Sequence, residues 1–243
     1  LAHEIKNPLT PIQLSAERIR HKCGPQLDDK TTAMLDRATN TIVEQVESLK
    51  SMVNTFSDYA RPAQLTWQSL DINPLIHTVV ELYRAERSAT DSDIRKPVQF
   101  ELHLDDSIPA IEADPSRIRQ ILNNLLANAK DAVRHSDKPR IHIYTACTDP
   151  EECHMVELEV RDNGPGIADD IIDRMFEPYV TGKEKGTGLG LAIVRKIIEE
   201  HNGYIEASIL KDDNGEHCGT SIRVQLPVNQ PTIPASPDEG EES

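Results

Sequence analysis

Apolar residues recur at helical spacing through the first 23 positions of the chain. They fall on one side of a predicted helix, at Leu9, Ile12, Ala16 and Ile19. Pro8 and Pro11 interrupt this helix early, and because proline has no N–H we expect them to kink it or to loosen its first turns. Gly24-Pro25 marks its end. The pattern predicts one amphipathic helix.

A second helix is predicted over residues 31–59, where apolar residues recur every seven positions. They are Leu35, Ile42, Leu49 and Phe56, with Ala38, Val46 and Val53 beside them. This spacing is typical of a helical-bundle seam. A hairpin of two helices cannot bury such a stripe alone, so we expect two hairpins to pair as a four-helix bundle. Residues 1–61 are therefore predicted to be a dimerisation domain, followed by a linker over residues 62–68.

After the linker, short strand-like runs alternate with helical ones. Strands are predicted over residues 65–70, 98–104, 110–113, 140–147, 155–161, 204–210 and 221–226. Helices are predicted over residues 74–87, 115–133, 169–175 and 188–201. Asp114 is the expected N-cap of the helix that starts at Pro115.

This order of elements indicates an α/β sandwich over residues 69–227, with a mixed sheet and helices on one face. The chain as a whole is thus predicted to have an α+β fold. The remaining residues, 228–243, are rich in proline and acidic side chains, so we expect a disordered tail.

The composition restricts the partners of the 243-residue chain. A net charge of −15 argues against a nucleic-acid backbone or an anionic membrane surface, but not against a nucleotide in a locally positive pocket. The four cysteines lack Cys-x-x-Cys spacing, so we expect reduced thiols rather than a zinc site. No apolar run approaches the ~18 residues of a membrane span.

The most specific chemical pattern is the run Lys183-Glu184-Lys185-Gly186-Thr187-Gly188-Leu189-Gly190. Three alternating glycines lead into an apolar helix, so backbone N–H groups can approach phosphate oxygens at the positive end of the helix dipole. Lys183 and Lys185 add mobile positive charge. The alternative is a flexible glycine-rich loop without a ligand.

Asp162 ends a predicted strand and precedes Asn163-Gly164-Pro165-Gly166. A carboxylate in this position can accept a hydrogen bond from an exocyclic amino group such as that of adenine. Gly164 and Gly166 would leave room for a flat ring. Taken alone, however, this run is better explained as a simple turn.

Asn124 and Asn128 lie four residues apart on the helix predicted over residues 115–133, so they share a face. Amide oxygens are suitable ligands for Mg²⁺, which keeps several waters and bridges phosphates. The alternative is a pair of buried asparagines that serve only as structural hydrogen-bonding groups.

His3 stands in the run His3-Glu4-Ile5-Lys6-Asn7-Pro8. A neutral imidazole carries a nitrogen lone pair that can attack phosphorus, and Glu4 can hold the other ring nitrogen. Asn7 follows one helical turn later on the same face. Taken alone, the run is equally well explained as a polar helix start.

These patterns occur in one order: His-Glu-Ile-Lys-Asn-Pro, Asn-Leu-Leu-x-Asn-Ala, Asp-Asn-Gly-Pro-Gly-Ile and Gly-Thr-Gly-Leu-Gly-Leu. In this order they resemble the transmitter region of two-component sensor histidine kinases, over about residues 1–227. The run around His3 is most similar to the NtrY branch of nitrogen regulation. The resemblance implies a dimeric helical hairpin that carries the phosphoacceptor, followed by an ATP-binding domain of the type shared with gyrase B and Hsp90.

The resemblance implies that His3 is the phosphoacceptor and Glu4 its orienting partner. We expect Mg-ATP-dependent autophosphorylation of His3 and transfer of the phosphoryl group to an aspartate of a response regulator. Asn7 would position water for hydrolysis of that phosphoaspartate, which makes the protein a bifunctional kinase and phosphatase. The alternatives are an ATP-binding serine kinase or ATPase of the same nucleotide-binding fold, or a non-catalytic dimerisation module.

For the nucleotide, the resemblance implies that Asp162 binds adenine in a pocket shaped by Gly164 and Gly166. Asn128 would hold Mg²⁺ with the assistance of Asn124. The remaining nucleotide-binding candidates are Asp131, Lys183, Lys185, Gly186, Thr187, Gly188, Leu189 and Gly190.

In gyrase-type relatives, a glutamate that activates water for ATP hydrolysis commonly stands where this chain has Asn124. An amide cannot act as that base at neutral pH. Because the chain begins with Leu1 rather than Met, we expect it to be a part of a longer protein. The resemblance implies that this part is the cytoplasmic portion of a bacterial protein anchored in the inner membrane through an upstream region.

Overall fold

The computed structural model describes residues 2–60, 65–85, 97–149, 151–182, 186–212 and 215–230, without the side chains of residues 2–7, 48, 51, 54, 55 and 58–60. The chain divides into two compact units, Leu1–Ala63 and Gln64–Ser243. Within the described part of the chain, no helix is both long enough and apolar enough to span a bilayer.

The first unit is a hairpin of two helices. Helix α1 covers Ala2–Cys23, a 3₁₀ turn covers Gly24–Gln26, and helix α2 covers Asp29–Ala60. The carboxylate of Asp28 accepts the N–H groups of Lys30 and Thr31, each at 3.0 Å, and so caps the start of α2. Pro8 and Pro11 both lie inside α1, which continues through them.

Each helix of the hairpin has two apolar stripes rather than one. Leu9 and Ala16 of α1 are buried with Val46 of α2, whereas Ile12 and Ile19 remain 46% and 50% exposed. Along α2, half-exposed apolar side chains recur every seven residues, at Ile42, Leu49 and Phe56. The hairpin therefore buries one stripe internally and leaves the other available for a partner.

The second unit contains seven strands and four α-helices among its described residues. The strands are β1 (Gln68–Leu70), β2 (Gln99–Leu104), β3 (Ile111–Ala113), β4 (Arg140–Cys147), β5 (Met155–Asp162), β6 (Tyr204–Lys211) and β7 (His217–Pro227). The helices are α3 (Ile72–Ala85), α4 (Pro115–Ala132), α5 (Asp169–Ile172) and α6 (Gly190–Glu200).

The main sheet has five strands in the order β2-β4-β5-β7-β6, and β1 pairs with β3 in a separate two-stranded sheet. Strands β2 and β4 are parallel, while the other neighbours are antiparallel. The predicted mixed sheet is thus confirmed, and its last two strands, β6 and β7, form an antiparallel hairpin.

The core of this unit lies between one face of the sheet and the apolar stripes of α3, α4 and α6. In α4 the buried residues follow the helical period: Ile118, Ile121, Leu122, Leu125, Leu126 and Ala129. Strand β4 alternates, because Ile141 and Ile143 are fully buried while His142 and Tyr144 lie on the other face. Helix α4 is thereby held on the sheet with its polar face outward.

Two residues outside the predicted α/β sandwich are attached to it. Thr66, expected in the linker, donates its N–H to Asp114 Oδ2 at 2.9 Å, and Trp67 packs edge-on against His201. Val228, expected in the tail, accepts the N–H of Glu112 at 2.9 Å. Composition alone concealed these attachments, because each is a single long-range hydrogen bond or ring contact. Residues 231–243 of the predicted tail lie outside the described residues.

The expectation that all cysteines are reduced is wrong. Cys147, at the end of β4, forms a disulfide with Cys153 in the β4–β5 turn, with the two Cα atoms 5.4 Å apart. The spacing of six residues is not a recognised motif, but the hairpin brings the two side chains together. Cys23 and Cys218 are free and exposed.

Candidate functional site

Asp162 lies at the end of β5, in the middle of the sheet. It is buried, and its Oδ1 accepts the N–H of Gly164 at 2.8 Å. A Cβ atom at Gly164 would lie 2.9 Å from the carbonyl oxygen of Ala132, the last residue of α4. The turn after β5 therefore needs glycine, because it passes directly against the end of α4.

Two neighbours of Asp162 were not among the predicted site residues. Thr220 of β7 is paired with Asp162 in register and is also buried. A Cβ atom at Gly219 would lie 2.0 Å from the carbonyl oxygen of Asp162, so only glycine permits this approach of the two strands. No local pattern marks these residues, since the pairing joins positions almost sixty residues apart.

Asn124 and Asn128 of α4 lie next to the first residue of α6. A Cβ atom at Gly190 would be 3.2 Å from Asn124 Oδ1 and 3.9 Å from Asn128 Nδ2. The amide of Asn124 is oriented, because its Nδ2 donates to the carbonyl oxygen of Gln120 at 3.0 Å. The fold thus brings the asparagine pair to the glycine-rich run, 62 residues further along the chain.

Helix α6 begins at Gly190, directly after the buried Leu189. Leucine has no side-chain acceptor, so it cannot cap the first N–H groups of the helix. Thr187 Oγ1 accepts the N–H of Leu189, at 3.4 Å, which precedes the helix. The start of α6 therefore presents backbone donors and the positive end of a helix dipole beside two amide side chains.

Gly188 connects this helix start to the segment after α5. It has φ +65°, and a Cβ atom there would lie 2.6 Å from the carbonyl carbon of Tyr179. The N–H of Tyr179 donates to the carbonyl oxygen of Gly188 at 2.9 Å. Tyr179 itself has φ 67°, a conformation that costs energy for a residue with a side chain. The two segments on either side of residues 183–185 are thus held together.

His201 connects α6 to α4 at the far ends of both helices. Its Nε2 accepts the N–H of Asp114 at 3.1 Å, so Nδ1 carries the proton and donates to the carbonyl oxygen of Ile197 at 2.8 Å. Burial lowers the pKa of His201, against the effect of the Ile197 hydrogen bond. His201 was not among the residues predicted from the sequence.

Asp114 caps α4 as predicted. It accepts the N–H groups of Ser116 and Arg117, and a third N–H from Thr66. Burial alone would raise the pKa of Asp114, but these hydrogen bonds and that of the Ser116 hydroxyl lower it below its ordinary value. Asp114 and His201 together fix the two helices that carry the candidate residues.

Several predicted site residues are not placed by the structure. Lys183 and Lys185 lie outside the described residues, as do the side chains of His3, Glu4 and Asn7. The backbone of the last three belongs to the first two turns of α1. Asp131 lies exposed in the last turn of α4.

The described residues fit a nucleotide with a bound cation. The buried carboxylate of Asp162 lies near the C-terminal end of α4, and the amide side chains of Asn124 and Asn128 lie along the polar face of that helix. The uncapped start of α6 adjoins these amides. The oxygen of Asn124, rather than its nitrogen, faces the start of α6, and amide oxygens are ligands that Mg²⁺ accepts. At Gly190 a side chain would fill the space beside that oxygen.

Family models match both parts of the chain. Residues 1–65 match the His Kinase A (phospho-acceptor) domain, and residues 113–230 match the histidine kinase-, DNA gyrase B- and HSP90-like ATPase. The catalytic domain of histidine kinase ThkA, in a nucleotide-free structure, is 31% identical; the match covers 69% of this chain and 97% of that domain, with a TM-score of 0.54. The chain belongs to the sensor histidine kinase family. Its phosphoacceptor and ATPase domains follow in the predicted order.

Curated relatives support the nitrogen-regulation branch. The nitrogen regulation protein NtrY of Azorhizobium caulinodans is 36% identical over 239 residues, which is 96% of this chain and 29% of that protein. The sensory histidine kinase/phosphatase NtrB of Vibrio alginolyticus is 31% identical over 85% of this chain and 56% of its own length. This kinase chain therefore spans well under two thirds of these relatives.

A solved complex extends the comparison to both units. ThkA bound to the response regulator TrrA is 30% identical, with a TM-score of 0.63, and the match covers 93% of this chain and 59% of that one. The predicted fold of a helical hairpin followed by an α/β domain is thus confirmed for this histidine kinase.

Proposed function

We propose that this kinase chain transfers the γ-phosphoryl group of ATP to His3 and then to an aspartate of a response regulator. The observation that carries the proposal is the convergence of Asn124, Asn128 and the start of α6 at one place. His3 is proposed as the acceptor because it lies in the matched phospho-acceptor domain, directly before Glu4.

ATP would lie along the polar face of α4. Asp162 would accept a hydrogen bond from the adenine amino group, in a pocket bounded by Gly164 and Gly166, with Thr220 beside it. The backbone of Gly186, Gly188 and Gly190 would contact the phosphates. Asn128 and Asn124 would hold Mg²⁺, which when bound supplies neutralising charge to the phosphates.

The covalent step requires one nucleophile and one group that stabilises the positive charge developing on it. A lone pair of the neutral His3 imidazole forms a bond to the γ-phosphorus, and the bond from that phosphorus to the bridging oxygen breaks to release ADP. Glu4 would stabilise the positive imidazolium that develops. Transfer to the regulator then breaks the P–N bond and forms a bond to a carboxylate oxygen.

The hairpin of residues 1–61 would act as a dimer, with residues 69–227 as the catalytic domain. The support is the exposed stripe of α2, because Ile42, Leu49 and Phe56 remain 43%, 45% and 42% exposed in the single hairpin. Four helices would bury this stripe. The regulator is proposed as a receiver domain because ThkA, a relative of this chain, has a solved complex with its regulator.

A phosphatase activity toward the same regulator is also proposed. Its support is the name of the NtrB relative, a kinase/phosphatase, together with the position of Asn7 one turn after His3. An amide at this distance along a helix lies on the same face as the histidine and can orient water. We further propose that the full-length protein is anchored in the inner membrane outside this sequence, which leaves this region in the cytoplasm.

The test of the kinase proposal is incubation of the chain with [γ-³²P]ATP and Mg²⁺. We expect acid-labile label on the protein, its loss in His3→Gln, and its retention in His21→Gln, an exposed histidine on the same helix. Acid-stable label would indicate a serine kinase, and phosphate release without protein label would indicate an ATPase. Either result would overturn the proposal.

The phosphatase is tested separately with the Asn7→Ala variant and a phosphorylated regulator. We expect dephosphorylation to fall about tenfold or more while the labelling of His3 is retained. Equal loss of both activities, or unchanged dephosphorylation, would contradict a water-positioning role of Asn7.

A further inference from the structure

Three side chains that the kinase mechanism does not use converge on strands β2 and β4. Glu101 and His103 are two residues apart on β2 and therefore point to the same face of the sheet. His142 is paired with Glu101 in the parallel register of β4. All three lie on the face opposite the buried Phe100, Ile141 and Ile143.

The potential ligand atoms of this cluster are close to one another. His103 Nε2 is 3.4 Å from His142 Nδ1, and Glu101 Oε2 is 3.5 Å from His142 Nδ1 and 4.0 Å from His103 Nε2. Tetrahedral Zn²⁺ with nitrogen and oxygen ligands at its usual bond lengths separates those ligands by roughly 3.3 Å. The cluster thus needs side-chain shifts of less than about 1 Å to hold such an ion.

We propose that Glu101, His103 and His142 form a site for a divalent transition-metal ion of the Zn²⁺ type. Two imidazoles and one carboxylate are typical ligands for such an ion, whereas Mg²⁺ prefers oxygen ligands and would not select this set. The side chains of His103, Glu101 and His142 are 46%, 43% and 27% exposed, so water can complete the coordination. The site is distinct from the asparagine pair proposed for Mg²⁺.

Tyr144 supports the geometry from two residues after His142 on β4, where it is paired with His103. Its ring stacks on that of His103, with centroids 4.6 Å apart and planes 12° apart, and Arg161 lies over the same tyrosine ring at 4.6 Å. Arg161 is in turn held by Glu159 through two hydrogen bonds. His103 is therefore oriented by stacking before any ion binds, and Tyr144 is a positioning residue.

Strand β2 has β4 as its only neighbour in the described sheet. A bound metal ion would link these two strands. An ion that binds the folded state and not the unfolded chain raises stability with its concentration. The site would thereby make the thermal stability of the ATP-binding unit depend on Zn²⁺.

The experiment is calorimetric titration of the chelator-treated 243-residue chain with ZnCl₂, together with thermal unfolding at each Zn²⁺ concentration. We expect His103→Gln and His142→Gln each to weaken one Zn²⁺ site about tenfold or more, and the double variant to lose one bound ion per chain. Glu101→Gln should weaken the same site. The matched control is His77→Gln, an exposed histidine on α3, which should bind as the unmodified chain does.

Two further measurements distinguish binding at this site from binding elsewhere on the chain. Co²⁺ bound here should give no thiolate charge-transfer absorption, whereas binding at Cys23 or Cys218 would give it. Tyr144→Phe should retain Zn²⁺ affinity, and Tyr144→Ala should reduce it because the stacking is lost. The proposal is overturned if the double histidine variant binds Zn²⁺ with unchanged stoichiometry and affinity, or if the Co²⁺ spectrum shows thiolate ligation alone.

Discussion

The Nε2 atom of His201 accepts the backbone N–H of Asp114 at 3.1 Å, and this bond joins the end of α6 to the residue that caps α4. The proposed nucleotide site lies between the same two helices, at Asn124 and Gly190. The hydrogen bond requires a neutral imidazole, because a protonated Nε2 is a donor and cannot accept the N–H.

The stability of the second unit should therefore depend on the protonation of His201. Its pKa in the folded state is lowered by burial, so the folded protein binds fewer protons than the unfolded chain just below the unfolded pKa of about 6.5. The stabilisation is complete above that pH and is lost as the pH falls from there toward the folded pKa. We expect the free energy of unfolding to decrease between about pH 7.5 and pH 5.5.

The measurement is urea unfolding followed by the fluorescence of Trp67, the single tryptophan, whose ring centroid lies 5.0 Å from that of His201. His201→Gln should lose about 1–3 kcal/mol at pH 7.5 and show a shallower pH dependence. His77→Gln, an exposed histidine, should keep the slope of the unmodified chain. An unchanged slope in His201→Gln would assign the pH dependence to other groups.

Removal of the Asp114 carboxylate should destabilise α4 more than a chemically matched change elsewhere. Asp114→Ala loses acceptors for three backbone N–H groups and is expected to cost about 1–3 kcal/mol. Asp105→Ala is the control, since Asp105 accepts the N–H and hydroxyl of Ser107 just as Asp114 accepts those of Ser116, but in an exposed setting. Equal losses of unfolding free energy in the two variants would contradict the role of burial.

The Asp114 contribution has a pH dependence of its own. Because the folded pKa of Asp114 is lowered, its stabilisation is present above the unfolded pKa of about 3.9 and disappears as the pH falls through the folded value. Below about pH 4, urea unfolding should thus show a smaller difference in unfolding free energy between Asp114→Ala and the unmodified chain.

Local sequence signals predicted the elements of the fold and the motifs that lie within one element. The cap at Asp114 and the asparagine pair on α4 needed only a few consecutive residues for their prediction. The missed features join distant positions: Asp162 with Gly219, and Asp114 with His201. Such pairs depend on strand register and helix packing, which hydrophobic periodicity does not encode. The proximity of Glu101 and His142 was not predicted for the same reason, since it arises from the parallel register of β2 and β4.

A charge placed on the exposed stripe of α2 should weaken dimerisation without unfolding the hairpin. Leu49 is 45% exposed in the single hairpin, so Leu49→Glu adds no buried charge there. In a four-helix dimer, the same change would remove about 1.5–3 kcal/mol of apolar burial and bury a carboxylate. Sedimentation equilibrium should show at least about a tenfold weaker dimer, and Glu47→Lys on an exposed part of the same helix should not. An unchanged dimer constant in Leu49→Glu would exclude this stripe as the interface.

Gly190→Ala should weaken ATP binding more than it weakens the fold. The added methyl group would lie 3.2 Å from Asn124 Oδ1, tighter than ordinary contact, and would occupy the space between that oxygen and the start of α6. Alanine is favoured over glycine in a helix by about 1 kcal/mol, which opposes the cost of this tight contact. The unfolding free energy should therefore change little. Titration with a non-hydrolysable ATP analogue and Mg²⁺ should show an affinity that is reduced at least about tenfold. Gly182→Ala is the control, because its methyl group would meet only Ile171 Cδ1, at an ordinary 3.6 Å. If Gly190→Ala binds the analogue as tightly as Gly182→Ala, the nucleotide does not use the space between α4 and α6.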